Sequence, residues 1–173
     1  MLRKLEKKDA PLMLEWMHDP SVVEHLNRNF GALTLEDCEA FIEKAAEGAD
    51  ADWKTMTGNL HLAIEDEQGE YMGTVSLKEI DRETSSAEFG ITVRRCAMGR
   101  GISIAAMKEI VKIGHEVMGL DLIFWCVSKH NKRAVRFYEK NGFEKITLDE
   151  LKQKNITVDY TEEQMADFVW YKA

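Results

Sequence analysis

The sequence predicts an α+β fold in which a mixed, mostly antiparallel, twisted sheet is flanked by helices. A short strand and three helical patterns come first along the chain, and three strand patterns with a hairpin signal follow. The last of these strands opens a strand–helix–strand–helix unit, and two further strand patterns close the chain. A meander that runs into such a unit forms a mixed sheet with helices on its faces. We expect one domain over residues 1–173, because both prolines lie near the start and no linker or repeat follows.

The N-terminal part predicts one short strand, "LRKL", and then three helices. Asp9 is a candidate N-cap for the first helix, and "SVVEHL" is typical of a second short one. The third, "TLEDCEAFIEKAAEG", has Thr34 and Asp37 spaced as a capping box, and Gly48 is its expected stop signal.

Strand patterns then dominate the chain. "LHLAIED" and "YMGTVSLKEI" are separated by a polar turn, which predicts a hairpin, and "SAEFGITV" is the next strand. "LIFWCV" is a continuous apolar run, typical of a strand buried on both faces. "FEKITL" and "ADFVWYKA" are predicted to close the chain as strands; the latter contains Trp170.

Two amphipathic helices separate the later strands. The helix after the loop "RRCAMGRG" has one apolar face, made of Ile104, Met107, Ile110, Val111 and Val117. The helix in "NKRAVRFYEKNG" has Asn131 as its expected N-cap and Gly142 at the C′ position.

Composition narrows the classes of function. The chain is 45% hydrophobic and 31% charged, as globular proteins are, and its formal net charge is −8. An acidic protein repels phosphate backbones, so nucleic acid is not an expected partner, whereas a cationic amine would be tolerated. Residues 1–9 are charged and no apolar run could span a bilayer, so we expect no signal peptide, no membrane contact and a cytoplasmic location.

The three cysteines are odd in number and irregularly spaced, which predicts reduced thiols and no metal site. Cys126 and His130 could form a nucleophile pair; the simpler interpretation of Cys126 is a buried thiol in an apolar strand.

The loop "RRCAMGRGISIAAM" joins a strand to a helix, and its chemistry suits a phosphate. Glycine lets a backbone approach closely, and a helix N-terminus offers free N–H groups and a partial positive charge. The loop lacks the third glycine of the dinucleotide fingerprint, because Ile104 stands there, and it lacks the Gly-Lys-Ser/Thr of a Walker A loop. Alone, the loop is weak evidence for a phosphate site, because glycine pairs precede many helices and a flexible connection into a core helix is the more frequent explanation.

The segments "AEFGITVRRCAMGRGISIAAM" and "LIFWCVSKHNKRAVRFYEKNGFEKI" together resemble the GNAT superfamily of acetyl-CoA-dependent N-acetyltransferases. The first is similar to the family's fourth strand, its glycine loop and the following helix. The second is similar to the fifth strand, the Asn-x-x-Ala helix start and the Tyr-Glu-Lys-x-Gly-Phe ending. The resemblance covers residues 86–146. The N-terminal segment loosely resembles the branch that holds ribosomal-protein N-terminal and amino-sugar acetyltransferases.

The resemblance implies acetyl-CoA as co-substrate and assigns residues to it. The backbone of Ile91, Thr92 and Val93 would bind the pantetheine arm as an added strand does, and Asn131 would also contact that arm. The residues around the pyrophosphate would be Met98, Gly99, Arg100, Gly101, Ile102, Ser103 and Ile104.

The loop departs from the family pattern at two positions. Met98 stands where the family usually has Arg or Gln, and Ser103 where it has Gly or Ala. Met98 removes a side-chain donor, while Arg94, Arg95 and Arg100 would keep the region basic.

Two residues match catalytic groups of the family. Tyr138 would protonate the leaving CoA thiolate, and Glu88 would act as the general base that deprotonates the amine. The alternatives are a half-buried aromatic for Tyr138, a solvent-facing carboxylate for Glu88, and a relay of water and backbone as the base. Substrate recognition is expected from the loop residues Asn27, Arg28, Asn29 and Phe30, whereas Trp16 is expected to pack in the core.

The predicted function is acetyl transfer from acetyl-CoA to a primary amine by direct attack, with a small amine or an amino sugar favoured. A protein N-terminus is an alternative acceptor, and a CoA-binding module without catalysis is an alternative function. The protein is expected to be a monomer or a homodimer, and no metal is expected.

Overall fold

A computed structural model describes residues 1–26 and 29–173 of the 173-residue chain. The strands are β1 (Leu2–Arg3), β2 (Gly58–Glu65), β3 (Tyr71–Asp81), β4 (Ser86–Val93), β5 (Leu122–Ser128), β6 (Glu144–Lys145) and β7 (Phe168–Lys172). They form one sheet in the order β1-β2-β3-β4-β5-β7-β6. Neighbouring strands are antiparallel except β4 and β5, which are parallel. The predicted mixed, mostly antiparallel sheet is therefore confirmed.

The helices lie on both faces of this sheet. They are α1 (Ala10–Met17), α2 (Pro20–Val23), α3 (Leu35–Asp50), α4 (Ile102–Lys112), α5 (Lys132–Lys140), α6 (Leu148–Gln153) and α7 (Glu162–Asp167). A π-helical turn, Ile113–Val117, continues α4. Within the described ranges, no helix combines the length and the apolar character needed to cross a bilayer.

Side chains of the central strands alternate between the two faces, as the pleat requires. On one face, Leu77, Phe89 and Trp125 pack in the main core with Met107 of α4 and Tyr138 of α5. The opposite face carries two separate apolar clusters. One packs α1 and α3 against the sheet, and the other packs α6 and α7 against β5 and β7.

Between those two clusters the sheet is polar. His61, Ser76, Lys78 and Glu88 form a row across β2, β3 and β4, which we call the polar strip. His61 lies opposite Ser76 and Lys78 lies opposite Glu88 in the strand register. Because neither apolar cluster includes these residues, the strip forms the floor of a groove.

The N-caps predicted for α1 and α3 have different outcomes. Thr34 and Asp37 form the predicted capping box, with Asp37 Oδ2 accepting from Thr34 N at 2.8 Å. Asp9 precedes α1, but its side chain does not cap that helix. Its carboxylate accepts instead from Arg3 at 2.7 and 2.8 Å and from Glu6 N at 2.9 Å. The N-cap role predicted for Asp9 is therefore wrong in its hydrogen bonding.

The prediction that Gly48 ends the third helix is wrong, since α3 continues to Asp50. A Cβ at Gly48 would lie 2.3 Å from Asn59 O, so this glycine allows the helix backbone to approach β2. Such an approach depends on the tertiary fold, and the sequence around Gly48 holds no trace of it.

Two further predictions, for the apolar face of α4 and for the strand "FEKITL", also need correction. Val117 is exposed rather than part of the apolar face of α4, because the π-helical turn shifts the helical register and turns Gly114 into the core. The predicted strand "FEKITL" is a strand only over Glu144–Lys145. Thr147 then caps α6, which the strand prediction did not anticipate.

We predict that Gly48→Ala destabilises the fold although alanine favours helices by about 1 kcal/mol. The clash with the β2 backbone outweighs that gain, and the free energy of unfolding should fall by about 2 kcal/mol in urea titrations. Gly31→Ala is the control, because its Cβ would meet its nearest neighbour at 3.7 Å. Equal stability of the two variants would contradict this interpretation of Gly48.

Candidate active site

The site begins where β4 and β5 separate. The two strands pair only from Ser86–Leu122 to Glu88–Phe124, and the register then ends. A cavity of about 440 Å³ opens there between residues 89–92 of β4 and residues 125–128 of β5. We call it the central cleft. Past Glu88, no described strand pairs with the β5-facing edge of β4, so its backbone groups are available to an extended ligand.

The glycine loop lies at one end of this cleft. Gly99 and Gly101 have φ angles of 77° and 78°, in the left-handed region that favours glycine. The backbone N–H groups of residues 99–104 donate to no described residue, and the first helical bond of α4 runs from Ala105 N to Gly101 O at 3.2 Å. These donors and the helix dipole make a site suited to a pyrophosphate.

A second cavity, of about 450 Å³, lies between this loop and α5, and we call it the entry cavity. It shares Ile91, Thr92, Asn131 and Tyr138 with the central cleft, so the two are continuous. Most residues predicted for cofactor binding line it, namely Ile91, Thr92, Val93, Met98, Gly99, Gly101, Ser103, Ile104 and Asn131. Arg100 is exposed outside this lining, and Ile102 packs against the main core.

Positive charge reaches the entry cavity from α5 rather than from the loop arginine Arg94. Arg94 is buried and forms ion pairs with Glu15 and Glu70, so its charge is neutralised inside the protein. Arg133 Nη1 lies 3.0 Å from Met98 Sδ, and both Arg133 and Lys140 line the cavity. Sequence reasoning missed them, although Arg133 follows Asn131 by only two residues.

Asn131 acts as the N-cap of α5, as predicted. Its Oδ1 accepts from Ala134 N at 3.1 Å, and Gly142 follows the helix with a φ of 76°. The side chain also lines both the central cleft and the entry cavity, so capping and ligand contact are compatible.

Tyr138 is buried among aromatic rings, with the centroid of Trp125 at 5.3 Å and that of Tyr171 at 5.0 Å. It lines the central cleft and the entry cavity, and its hydroxyl has no hydrogen-bond partner among the described residues. Burial raises the pKa of Tyr138 above the ordinary tyrosine value. The phenol is therefore protonated at neutral pH and is a potential proton donor.

Glu88 occupies the polar strip, on the opposite face of the sheet from Tyr138. Its side chain is only 13% exposed, and its Oε1 accepts from Lys78 Nζ at 2.8 Å and from Tyr160 OH at 2.9 Å. Among the described residues no donor reaches Oε2. Glu88 lines the central cleft, and only one of its two carboxylate oxygens is hydrogen-bonded to described residues. Such a carboxylate is a potential proton acceptor.

Tyr160 could not be found by sequence reasoning, since it lies 72 residues from Glu88 in the chain. Burial, followed by the nearby Cys126 and Glu88, raises the pKa of Tyr160, so it donates to Glu88 as a neutral phenol.

The Cys126–His130 pair has no geometric support as a nucleophile. Burial raises the pKa of the Cys126 thiol to about 12, which keeps it protonated at neutral pH. His130 Nε2 instead lies 3.1 Å from Asp167 Oδ1.

Two further cavities meet the central cleft on the face of the polar strip. The apolar chamber, of about 390 Å³, is lined by Trp16, Phe30, Phe41 and His61 among others. The polar chamber, of about 990 Å³, extends past Lys78 and Glu88 along the turn after β3.

The residues expected to recognise substrate are only partly described. Phe30 lines the central cleft and the apolar chamber, whereas Asn29 is exposed and lines neither. Asn27 and Arg28 lie outside the described residues. Trp16 is buried, and its Nε1 donates to Tyr71 OH at 3.1 Å, which confirms its expected packing role.

Comparison with known proteins identifies the family and the fold of the chain. The profile of the acetyltransferase (GNAT) domain matches residues 1–144. An uncharacterized N-acetyltransferase, p20 of Bacillus licheniformis, is 24% identical over 144 residues, which are 83% of this chain and 78% of that protein. Spermidine N(1)-acetyltransferase of Escherichia coli K12 is 35% identical over 75 residues, 43% of this chain and 40% of that protein.

A solved structure, spermidine N-acetyltransferase from Vibrio cholerae in complex with CoA and spermine, has the same fold with a TM-score of 0.72. It is 20% identical to this chain, and the match covers 99% of this chain and 92% of that one. With the profile match over residues 1–144, these findings identify the chain as a member of the GNAT acetyltransferase family and an acetyl-CoA-dependent N-acetyltransferase.

Proposed function

We propose that this chain acetylates a small-molecule primary amine by direct attack inside the central cleft, with Tyr138 as general acid and Glu88 as general base. One observation carries the proposal. Tyr138 packs on one face of the sheet and Glu88 lies on the other, yet both line the gap between β4 and β5. A thioester held in that gap would present its leaving group to Tyr138 and its carbonyl carbon to an amine near Glu88.

The residues around the entry cavity fit acetyl-CoA. The N–H groups of residues 99–104 suit its pyrophosphate, Arg133 and Lys140 add positive charge, and the unpaired edge of β4 suits the pantetheine arm. Acetyl-CoA supplies the thioester on which the amine acts.

The chain's own groups then account for each proton. Glu88 accepts a proton from the ammonium, which frees the nitrogen lone pair for attack. An N–H on the free edge of β4 donates to the carbonyl oxygen as negative charge develops there. As the C–N bond forms and the C–S bond breaks, the Tyr138 hydroxyl gives its proton to the departing thiolate. The nitrogen then loses its second proton to become a neutral amide, and that proton restores the Tyr138 phenol.

A small molecule suits the cavities better than a protein N-terminus, because the apolar chamber is a pocket of about 390 Å³ between α1, α3 and the sheet. The relatives named for spermidine also act on a small amine. Paired acid and base groups at one cleft favour an enzyme over a CoA-binding module.

The proposal is tested by calorimetric titration with acetyl-CoA and by measuring CoA thiol release against a panel of small amines and short peptides. We expect saturable thiol release with at least one small amine. Tight binding with no release from any acceptor would favour the binding module, and no binding would overturn both.

We predict that Tyr138→Phe lowers kcat about 100-fold and leaves the acetyl-CoA Kd within about twofold, because the hydroxyl acts mainly as the thiolate forms. Tyr171→Phe is the matched control, since Tyr171 stacks in the same aromatic cluster without lining the cleft. Because the pKa of Tyr138 is raised, wild-type turnover should not fall through loss of this proton below about pH 10. Unchanged kcat with chemistry rate-limiting rules Tyr138 out as the acid.

We predict that Glu88→Gln lowers kcat/KM about 100-fold and flattens the acidic side of the pH–rate profile, because the amide cannot accept a proton. Glu83→Gln, at an exposed position in the polar chamber, should leave the profile unchanged. A profile with an unaltered acidic limb in Glu88→Gln would assign the base to a relay of water and backbone.

We predict that Arg133→Ala weakens acetyl-CoA binding about tenfold at low salt, by removing a charged donor from the entry cavity. Lys132→Ala changes a neighbouring exposed charge outside that cavity and should have little effect. Met98→Gln in the Arg133→Ala background should restore part of the affinity, since it returns a donor to the loop. Equal Kd values for the two alanine variants would contradict a phosphate role for Arg133.

A further inference from the structure

We propose that the acceptor is a free α-amino acid with an apolar side chain, bound with its ammonium on Glu88, its carboxylate on Lys78 and its side chain in the apolar chamber. This assignment rests on the proposed function and names the substrate class of the same site.

Lys78 and Glu88 stand where the cavities meet. They lie opposite each other on β3 and β4, with Nζ and Oε1 2.8 Å apart. Lys78 lines the central cleft, the apolar chamber and the polar chamber, while Glu88 lines the cleft and the polar chamber. Any amine that reaches the thioester from this face therefore approaches an ion pair and not a lone carboxylate.

An ion pair at this point selects for a zwitterion. A simple ammonium bound by Glu88 brings a second positive charge beside Lys78, which opposes binding. An amino acid instead places its carboxylate beside Lys78 while its ammonium binds Glu88, so each of the four charged groups pairs with one of opposite sign. Tyr160 donates to Glu88 Oε1 and holds that carboxylate in place while Lys78 turns to the substrate.

The apolar chamber suits an uncharged side chain. Its walls include Met13, Trp16, Met17, Phe30, Leu33 and Phe41. At its floor, His61 is bonded to Ser76 Oγ at 2.7 Å and lies against the ring of Phe41.

Besides Lys78, the ionisable side chains that line this chamber are Asp37, Cys38 and His61. Burial, reinforced by the positive charges of Lys78 and Lys44, lowers the pKa of His61 to about 4, so its imidazole is neutral at pH 7. Asp37 is engaged by Thr34 in the capping box of α3. A volume of about 390 Å³ accommodates side chains such as those of leucine, methionine and phenylalanine.

A polyamine would use these cavities differently. Its remote ammonium would lie in the polar chamber near acidic groups such as Glu79 and Asp159, and the apolar chamber would stay empty. Acceptor kinetics separate the two arrangements.

The experiment measures kcat/KM by CoA thiol release from the full chain with L-phenylalanine, phenethylamine, L-phenylalaninamide, glycine and spermidine. Phenethylamine lacks only the carboxylate, the amide lacks only its charge, and glycine lacks only the side chain. We expect L-phenylalanine to exceed each of the other four by about tenfold or more. The assignment is overturned if phenethylamine or L-phenylalaninamide has a kcat/KM equal to that of L-phenylalanine, or if spermidine is the preferred acceptor.

Two variants test the contacts through ratios, which a general loss of activity leaves unchanged. Lys78→Met should remove the preference for phenylalanine over phenethylamine, and Phe41→Ser should reduce the preference for phenylalanine over glycine. Lys108→Met, on an exposed position of α4, is the control and should keep both ratios. Unaltered ratios in Lys78→Met and Phe41→Ser overturn the proposed contacts.

The two levels of the proposal fail differently. Thiol release with some amine but without preference for apolar amino acids overturns the acceptor class alone. No release with any acceptor, in protein that binds acetyl-CoA, overturns the proposed function and the acceptor class together.

Discussion

The separation of β4 and β5 after three paired residues is the constraint on which the rest of the site depends. Both strands continue past that point, because β4 stays paired with β3 as far as Val93 and β5 pairs with β7 as far as Ser128. Phe89 and Trp125 are the first residues beyond the shared register, and their rings pack edge to face at 5.3 Å. Both rings pack in the main core and both residues line the cleft, so the strands cannot close again without displacing core side chains.

This separation leaves backbone donors and acceptors inside the protein without a strand to pair with. Buried backbone groups need partners, and a ligand with an extended, amide-bearing arm supplies them. The gap also joins the two faces of the sheet. Tyr138, among the aromatic rings of one face, and Glu88, on the polar strip of the other face, therefore both line this one cleft.

How far the sequence predicted this arrangement depends on the range of the interactions involved. The bounds of β4 match the eight-residue strand pattern "SAEFGITV", and the caps at Thr34 and Asn131 depend on hydrogen bonds within three residues. Gly48 misled the prediction because its role is an approach to Asn59 in another element. The sequence predicted that Arg94 would add positive charge near the phosphate, but its guanidinium pairs with Glu15, which lies 79 residues away in the chain. Tyr160 likewise lies in the segment after residue 144, where the family profile no longer matches.

The role of each basic side chain also depends on its partners in the folded protein. A chain of net charge −8 repels a polyanion at long range, and salt at physiological strength screens that repulsion beyond about 8 Å. Binding of acetyl-CoA therefore depends on cations within that distance of its phosphates. Arg3 and Arg94 are held by carboxylates and stabilise the fold, whereas Arg133 and Lys140 line the entry cavity without a carboxylate partner among the described residues. Arg133, Tyr138 and Lys140 all lie on α5. In the proposed mechanism, one helix therefore carries both the cations that would face the phosphates and the hydroxyl that would protonate the thiolate.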